Sequence, residues 1–343
     1  MYILGIESSC DESAASIVKF NKGGDFKILS NIISSQIDIH KKYGGVVPEL
    51  AAREHVLNIL PVIDEAIKDA KIQGKDIKAI AITNGPGLIT SLISASETAK
   101  TLSFLWGVPL IEINHIEGHI YSAFIENKKN IKFPAMILTV SGGHNLLVLM
   151  EDHLKYKVIG QTLDDAAGEA FDKAAKMMGL GYPGGPIISK LSEDNKGEEE
   201  IDLPRPMMYS KDFNFSFSGL KTALLYKLQK DKNWKKNIPK YCYSFQKAVV
   251  DVLTYKTMKA SEKYKVKTII LSGGVSANKE LKKTLSEKIK ENSKNLAFAY
   301  PEVKYSGDNA AMIAVAGVYN YLKNEKKLKS YKKIKINSSL EFK

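Results

Sequence analysis

The chain has 343 residues, more than one hydrophobic core usually organises and a natural length for two domains. Hydrophobic residues make up 44% and charged residues 26%; no apolar run approaches the ~18 residues of a membrane helix, and the opening "MYILGI" lacks the basic-then-apolar layout of an export signal, so no membrane span or secretion is expected. Cys10 and Cys242 are too few for a disulfide framework or a cysteine zinc site, which suits the cytoplasm, and the +12 charge of 50 basic against 38 acidic residues attracts polyanions. Only Arg53 and Arg205 are arginines, leaving 50 − 2 = 48 lysines, a bias that AT-rich coding also produces, so the charge alone selects no partner.

In chain order, "YILGIESSCDESAASIVKF" reads as strand, polar turn, strand, and "FKILSNIISS" as a third strand. Pro48 opens a helix on which Leu50, Val56, Leu57, Leu60, Ile63 and Ile67 recur at helical spacing, with a kink expected at Pro61. "IKAIAIT" is a buried strand, "SLISASETAKTLSFLWG" a helix closed by Gly107, and "VPLIEIN" a strand. From about Phe133 the order restarts: "AMILTVSGGHNLLVLMED" is a hairpin, "KYKVIGQ" a strand and "DDAAGEAFDKAAKMMG" a helix. A long helix near Tyr241 to Tyr264, the strand "KTIILSGG" and a helix near Ala277 follow.

This internal duplication predicts an α/β, two-lobed nucleotide-binding architecture with a phosphate cleft between lobes. The expected division is 1–132 for the N-terminal lobe, 133–325 for the C-terminal lobe and 326–343 for a frayed basic tail. "EDNKGEEE" is a solvated acidic loop. "YKLQKDKNWKKNIPK", with Trp234, reads as an exposed helix end, RNA contact being the alternative.

Four turns stand at strand ends: "ESSCDES", "NGPGL", "VSGGHN" and "LSGGVSAN". Glycine pairs let backbone amides approach an anion, and two Ser-Gly-Gly turns at matching points of the two halves call for a shared reason. None has the G-x-x-x-x-G-K-[ST] pattern of Walker-type NTPases. Asp11 and Glu12 stand in the first turn, where a carboxylate can accept a proton, hold a metal-bound water or simply cap the turn. Asp165, Glu169 and Asp172 fall on one face of a helix, a spacing that a solvated face also explains.

"INHIEGH" places His115 and His119 four residues apart. A zinc protease needs the glutamate directly after the first histidine; here Glu117 comes two after, about 200° around the helix. The pair still offers two metal ligands needing a third, and Asp308 in "YSGDNAAMIA" is a partner that suits Fe(II) or zinc.

Taken in order, "GIESSCDES", "HKKYGGVVPELAAREH", "NHIEGH", "VSGGHN", "DDAAGEAFDKAAKMMGLGYPGGP", "FSFSGLKTA", "GGVSAN" and "DNAAMIA" resemble the successive blocks of the tRNA threonylcarbamoyladenosine synthesis transferases of the bacterial TsaD type. The resemblance implies the actin, hexokinase and Hsp70-like (ASKHA) fold with duplicated ribonuclease-H-like domains. It implies transfer of a threonylcarbamoyl group from threonylcarbamoyl-adenylate to the N6 amine of the adenosine 3′ of the anticodon in ANN-decoding tRNAs. His115, His119 and Asp308 carry over as ligands of one iron or zinc ion. Thr139, Val140, Ser141, Gly142, Gly143, Asp172, Gly185 and Asn278 carry over as the adenylate site, with Mg²⁺ accompanying the nucleotide. A TsaB-like paralogue and a TsaE-like ATPase are the implied protein partners. Asp11, Glu12 and His144 are the catalytic candidates. Asn145 stands where the family usually has Thr, and Ser306-Gly307 where Cys-Thr is common, which puts the turn presenting Asp308 in question. A small-molecule kinase of the same fold and a non-catalytic scaffold paralogue are the rival readings.

Overall fold

The computed structural model describes residues 1–195, 200–292, 295–325, 328 and 330–342; parts of the acidic loop and of the basic tail lie outside the described residues. In chain order the strands are β1 (Tyr2–Glu7), β2 (Glu12–Phe20), β3 (Phe26–Ser35), β4 (Ile77–Gly85), β5 (Leu110–Asn114), β6 (Ala135–Val140), β7 (Asn145–Asp152), β8 (Lys155–Gln161), β9 (Thr268–Ser272) and β10 (Ala297–Ala299). The α-helices are α1 (Ile37–His40), α2 (Pro48–Asp69), α3 (Ile89–Trp106), α4 (His115–Ser122), α5 (Phe124–Asn127), α6 (Ala167–Met177), α7 (Gly184–Ser192), α8 (Ser218–Lys230), α9 (Ile238–Lys263), α10 (Lys279–Asn292) and α11 (Ala310–Asn324).

The chain forms two compact units, Met1–Ile125 with Gly307–Lys343, and Glu126–Ser306. Each contains one five-stranded mixed sheet, ordered β3-β2-β1-β4-β5 in the first and β10-β9-β6-β7-β8 in the second. In both, an antiparallel three-strand meander is extended by two parallel strands on the side of its first strand. The duplication expected from element order is therefore a duplication of sheet topology, that of the ASKHA fold.

In the first unit, alternate residues of β1 serve opposite faces. Leu4 and Ile6 join Ile59, Val62 and Ala66 of α2 and Ala95 and Ala99 of α3 in one core. Gly5 faces α11, and a Cβ there would stand 2.5 Å from the Ala310 carbonyl oxygen and 2.7 Å from the Ala314 nitrogen. Helix α11, assigned to the second lobe by sequence, thus packs backbone to backbone on the first unit's sheet.

The face of α2 also differs from the sequence reading. Ala51, His55, Ile59, Val62, Ile63 and Ala66 are buried, while Val56, Leu57 and Leu60 are 65%, 67% and 56% exposed. Small residues let α2 lie close to the sheet, and the larger aliphatics face outward. The described stretch 330–342 of the tail is docked rather than frayed: Ile334 is buried, the Lys335 amide donates to Glu112 Oε1 at 3.0 Å, and the Asn337 amide donates to the Asn84 carbonyl at 2.8 Å.

In the second unit, Met136, Leu138 and Val140 of β6 share a core with α6, α8 and α9. The half-buried Trp234 packs against that core, so the basic stretch around it follows the helix-end reading. No described helix is long and apolar enough to cross a membrane.

Candidate metal centre and nucleotide pocket

Asn114 ends β5 and caps α4 by accepting the Ile116 amide at 2.8 Å, which sets His115 in the first turn and His119 one turn later. Between them, Gly118 lets α11 approach, since a Cβ there would lie 2.6 Å from Ile313 Cδ1. That approach delivers Asp308, immediately before Asn309, the N-cap of α11. Asp308 Oδ1 stands 3.2 Å from His119 Nε2 and 3.5 Å from His115 Nε2. Two ligands held ~2.0–2.1 Å from one ion at a tetrahedral angle stand about 3.4 Å apart, so these spacings suit a shared cation. Two imidazoles and one carboxylate are also the donor set of open Fe(II) and zinc sites.

The histidines differ in their second nitrogens. His115 Nδ1 meets Ser9 Oγ at 3.0 Å and Glu7 Oε2 at 3.4 Å. With Nδ1 protonated toward Glu7, a cation that displaced the Nε2 proton would find that nitrogen's lone pair on the Asp308 side, the tautomer a metal ligand needs. His119 is fully buried, and neither ring nitrogen has a hydrogen-bond partner among the described residues; the Asp308 contact is in ion-pair range without hydrogen-bond alignment. Leaving a buried polar nitrogen unpaired costs about 1–3 kcal/mol, which a bound cation would offset. The residues present therefore fit one divalent ion.

The surrounding field is negative. Burial opposes the His115 imidazolium, yet the Asp308 and Glu7 carboxylates outweigh it and hold the pKa up to about 9. Burial also opposes ionisation of Glu7, but the positive charge on His115 outweighs it and keeps this carboxyl below its ordinary value. Burial, with Asp308 and Asp11 nearby, pushes the Glu12 carboxyl well above its ordinary value. A site that holds a proton so firmly between carboxylates will also attract a metal cation.

Asp11 is buried in the turn between β1 and β2, and α2 fixes that turn through His55. This fully buried imidazole donates from Nε2 to the Cys10 carbonyl at 2.9 Å and accepts at Nδ1 from Ser13 Oγ at 2.7 Å. Burial lowers its pKa, consistent with a neutral ring. Glu117 points away from the metal group and accepts from Asn320 Nδ2 at 2.6 Å. The Gly307 carbonyl accepts from Asn309 Nδ2 at 2.8 Å, so the turn before Asp308 is held despite its departure from the family pattern.

In the second unit, Gly142, Asp172, Gly185 and Asn278 line one cavity of about 560 Å³. Thr139 does not: it is fully buried, with Oγ1 2.9 Å from Ser272 Oγ, and Val140 is likewise in the core. Ser141 and His144 close the hairpin turn, the His144 amide donating to Ser141 Oγ at 3.1 Å. Gly142 and Gly143 have ordinary φ and nothing within 4 Å of an added Cβ, so neither strain nor packing requires glycine there, and of the two only Gly142 lines the cavity. Gly273 is different, with φ of 84° and backbone contact to Val140.

Asp172 Oδ1 accepts the Gly184 amide at 2.7 Å at the start of α7, and burial raises its pKa. Asp165 and Glu169 do not share its setting: Asp165 precedes α6 and pairs with Lys221 and Lys173, and Glu169 pairs with Lys173 at 2.7 Å. Asn278 Oδ1 caps α10 by accepting the Leu281 amide at 2.9 Å, while Nδ2 donates to Gln246 Oε1 at 2.7 Å. Asn145, the other departure, is buried and accepts the Ala167 amide at 3.1 Å, anchoring α6.

Glu7, His55 and Gly118 escaped the sequence reading. Glu7 carried one signal, a charged residue ending a wholly apolar strand.

The sequence model of the family described as tRNA N6-adenosine threonylcarbamoyltransferase (TsaD) matches residues 27–315. A curated relative of that name in Thermosipho africanus (strain TCF52B) is 51% identical over 326 residues, covering 94% of this chain and 95% of the relative. One in Bacillus subtilis (strain 168) is 47% identical over 325 residues, covering 94% and 91%. Among solved structures, HypF of T. kodakarensis aligns with a TM-score of 0.62 at 13% identity over 96% of this chain and 48% of its own. Component A of the Acidaminococcus fermentans (R)-2-hydroxyglutaryl-CoA dehydratase aligns with a TM-score of 0.54 at 14% identity over 94% and 99%. These two likenesses concern fold alone, whereas the sequence matches run through both units and both sets of site residues: the chain belongs to the tRNA N6-adenosine threonylcarbamoyltransferase (TsaD) family.

Proposed function

We propose that this protein transfers a threonylcarbamoyl group from threonylcarbamoyl-adenylate to the N6 amine of the adenosine 3′ of the anticodon in ANN-decoding tRNAs. The observation that carries the reading, within this family, is the convergence of His115, His119 and Asp308 on one point. A new bond joins N6 to the carbamoyl carbon, the bond from that carbon to the phosphate oxygen breaks, AMP leaves with the electron pair, and the amine gives up one proton. His115, His119 and Asp308 would hold one iron or zinc ion, which when bound supplies Lewis-acid polarisation of the carbamoyl carbonyl. Glu7 orients His115 and compensates the cation's charge. Asp11 and His144 are the candidates to accept the amine proton; next to Asp11 stands Glu12, whose carboxyl is pushed above its ordinary value by burial and by the neighbouring Asp308 and Asp11.

In the second unit we assign the adenylate to the cavity of Gly142, Asp172, Gly185 and Asn278, with Mg²⁺ accompanying the phosphate. The exposed apolar residues Val56, Leu57 and Leu60 of α2, with Ile89 and Ile93 of α3 at 46% and 45% exposure, offer a docking face for a TsaB-like paralogue; a TsaE-like ATPase completes the expected set.

Nucleoside mass spectrometry of an unmodified ANN-decoding tRNA, incubated with the adenylate donor, this protein and its partners, tests the reading. Threonylcarbamoyladenosine should form; phosphorylation of a small acceptor with no modified nucleoside would favour the kinase instead. Glu7→Gln should weaken metal affinity about 10- to 100-fold in a competitive chelator titration, since it removes the carboxylate partner of His115. Asn278→Ala should lower AMP affinity about tenfold by calorimetry and cost about 1 kcal/mol of stability with the lost cap, and Asn278→Asp should restore the stability alone. Unchanged AMP affinity in both would remove Asn278 from the pocket. Leu57→Glu with Leu60→Glu should abolish co-elution with the paralogue on gel filtration, and an intact complex would place that interface elsewhere.

A further inference from the structure

A second feature of the Glu126–Ser306 unit belongs to neither site: a basic and aromatic surface around the C-terminal half of α9. The chain from Met207 to Asn214 folds over this helix, with Met207 in the left-handed region at φ 53°. Lys256 of α9, its side chain only 2% exposed, reaches into the loop. Its Nζ donates to Ser210 Oγ at 2.8 Å, to the Asp212 carbonyl at 3.3 Å and to the Asn214 carbonyl. Burying an ammonium costs several kcal/mol unless its protons are paired; here three acceptors pair them, and the loop is held in one shape.

The loop presents Tyr209, 78% exposed and edge-on to Tyr255 at 5.2 Å, followed by Lys211. Beside them lies a depression of about 470 Å³ that Phe213, Lys259 and Lys263 also line, with Lys263 Nζ 5.3 Å from the Phe213 ring centre. Lys265, Lys267 and Lys288 line the adjoining cavity. All six of these lining lysines are exposed. The facing acids are fewer than the lysines: Asp251 is bound by Arg205 at 2.9 Å, Glu262 by Lys259 at 3.5 Å, Glu291 by Lys288 at 2.8 Å, and Asp212 lies 3.6 Å from the buried Lys256. An ordinary solvated lysine surface requires neither a buried cation shaping a loop nor a tyrosine displayed on it.

We propose that this surface binds the tRNA substrate at a distance from the adenosine being modified. The lysines would contact phosphates, and Tyr209 would stack on an unpaired base. Lys265 and Lys267 lead into β9, and the opposite end of that strand leads into Gly274 and Asn278 of the nucleotide pocket. At ~3.3 Å per residue this strand separates the surface from the pocket by roughly 16 Å. The contact therefore falls on the tRNA body rather than on the reacting base. The inference rests on the tRNA-modifying reading above.

The test measures binding of a full-length, unmodified ANN-decoding tRNA and of its isolated anticodon stem-loop to the wild type, to Lys259→Glu/Lys263→Glu and to Tyr209→Ala. Binding is read at about 50 mM and about 200 mM salt, with AMP affinity as the check on folding. For full-length tRNA, the charge reversal should weaken binding about tenfold or more and flatten the log–log salt dependence by about 2, and Tyr209→Ala should weaken it several-fold at both salts. Stem-loop and AMP affinities should stay at the wild-type values. Equal tRNA affinity in all three proteins would overturn this surface while leaving the function standing, as would a loss of the same size for the stem-loop. A defect seen only when partner proteins are present would make it a protein interface and overturn it too. A wild type that binds no tRNA, whether alone or with its partner proteins, would overturn both readings.

Discussion

His119→Ala is expected to lose its metal and to lower tRNA modification by about three orders of magnitude or more. Lewis-acid stabilisation of developing charge is worth several kcal/mol, and each ~1.4 kcal/mol is tenfold in rate. The side chain is one of three converging donors, and its nitrogens have no hydrogen-bond partner among the described residues. Removing it therefore breaks no hydrogen bond in the metal-free protein, and the main structural cost is a small cavity in a fully buried position. Metal-free variant and metal-free wild type should differ by no more than about 2 kcal/mol in denaturant unfolding. Elemental analysis, nucleoside mass spectrometry and unfolding on the same preparations check all three expectations. Full modification by a metal-free His119→Ala protein would refute the assigned role.

Gly5→Ala should have the largest effect on stability, about 3 kcal/mol or more, and should weaken metal binding although residue 5 touches no ligand. The added Cβ would meet the backbone of α11 at Ala310 and Ala314, at 2.5 and 2.7 Å, and backbone cannot rotate aside as a side chain can. Helix α11 must move, and Asp308 stands just before it. A fall in the denaturation midpoint together with a fall in metal affinity is expected. Reduced stability with unchanged metal affinity would show that Asp308 is positioned independently of the packing of α11 on β1.

The histidine pair was legible in "INHIEGH" because both imidazoles sit on one short helix, and helical period alone turned Glu117 aside to where Asn320 holds it. Asp308 was not fixed by spacing. It reaches the histidines through Gly5 and Gly118, two positions whose meaning lies in the distance between packed elements rather than in any local pattern. Glu7 was hidden for a related reason, since a buried carboxylate at a strand end gains its role only from Ser9, Thr83 and His115 around it. On α2, hydrophobic period located a helix but chose the wrong inward face, because Ala51, His55 and Ala66 give a closer approach to the sheet than Val56, Leu57 and Leu60 would. Part of the second unit's cavity lining, Gly142 and Asn278, was legible in Gly turns, yet Thr139 proved to be a sheet contact and Asn278 a helix cap as well as a cavity residue.

Metal reconstitution tests the central claim most directly. The wild-type protein would be stripped with chelator and reloaded stepwise with Fe²⁺ or Zn²⁺, with ions per chain and threonylcarbamoyladenosine formed measured at each step. The account predicts modification rising in proportion to occupancy and levelling at one ion per chain; full modification by the stripped protein, with no ion bound, would contradict it.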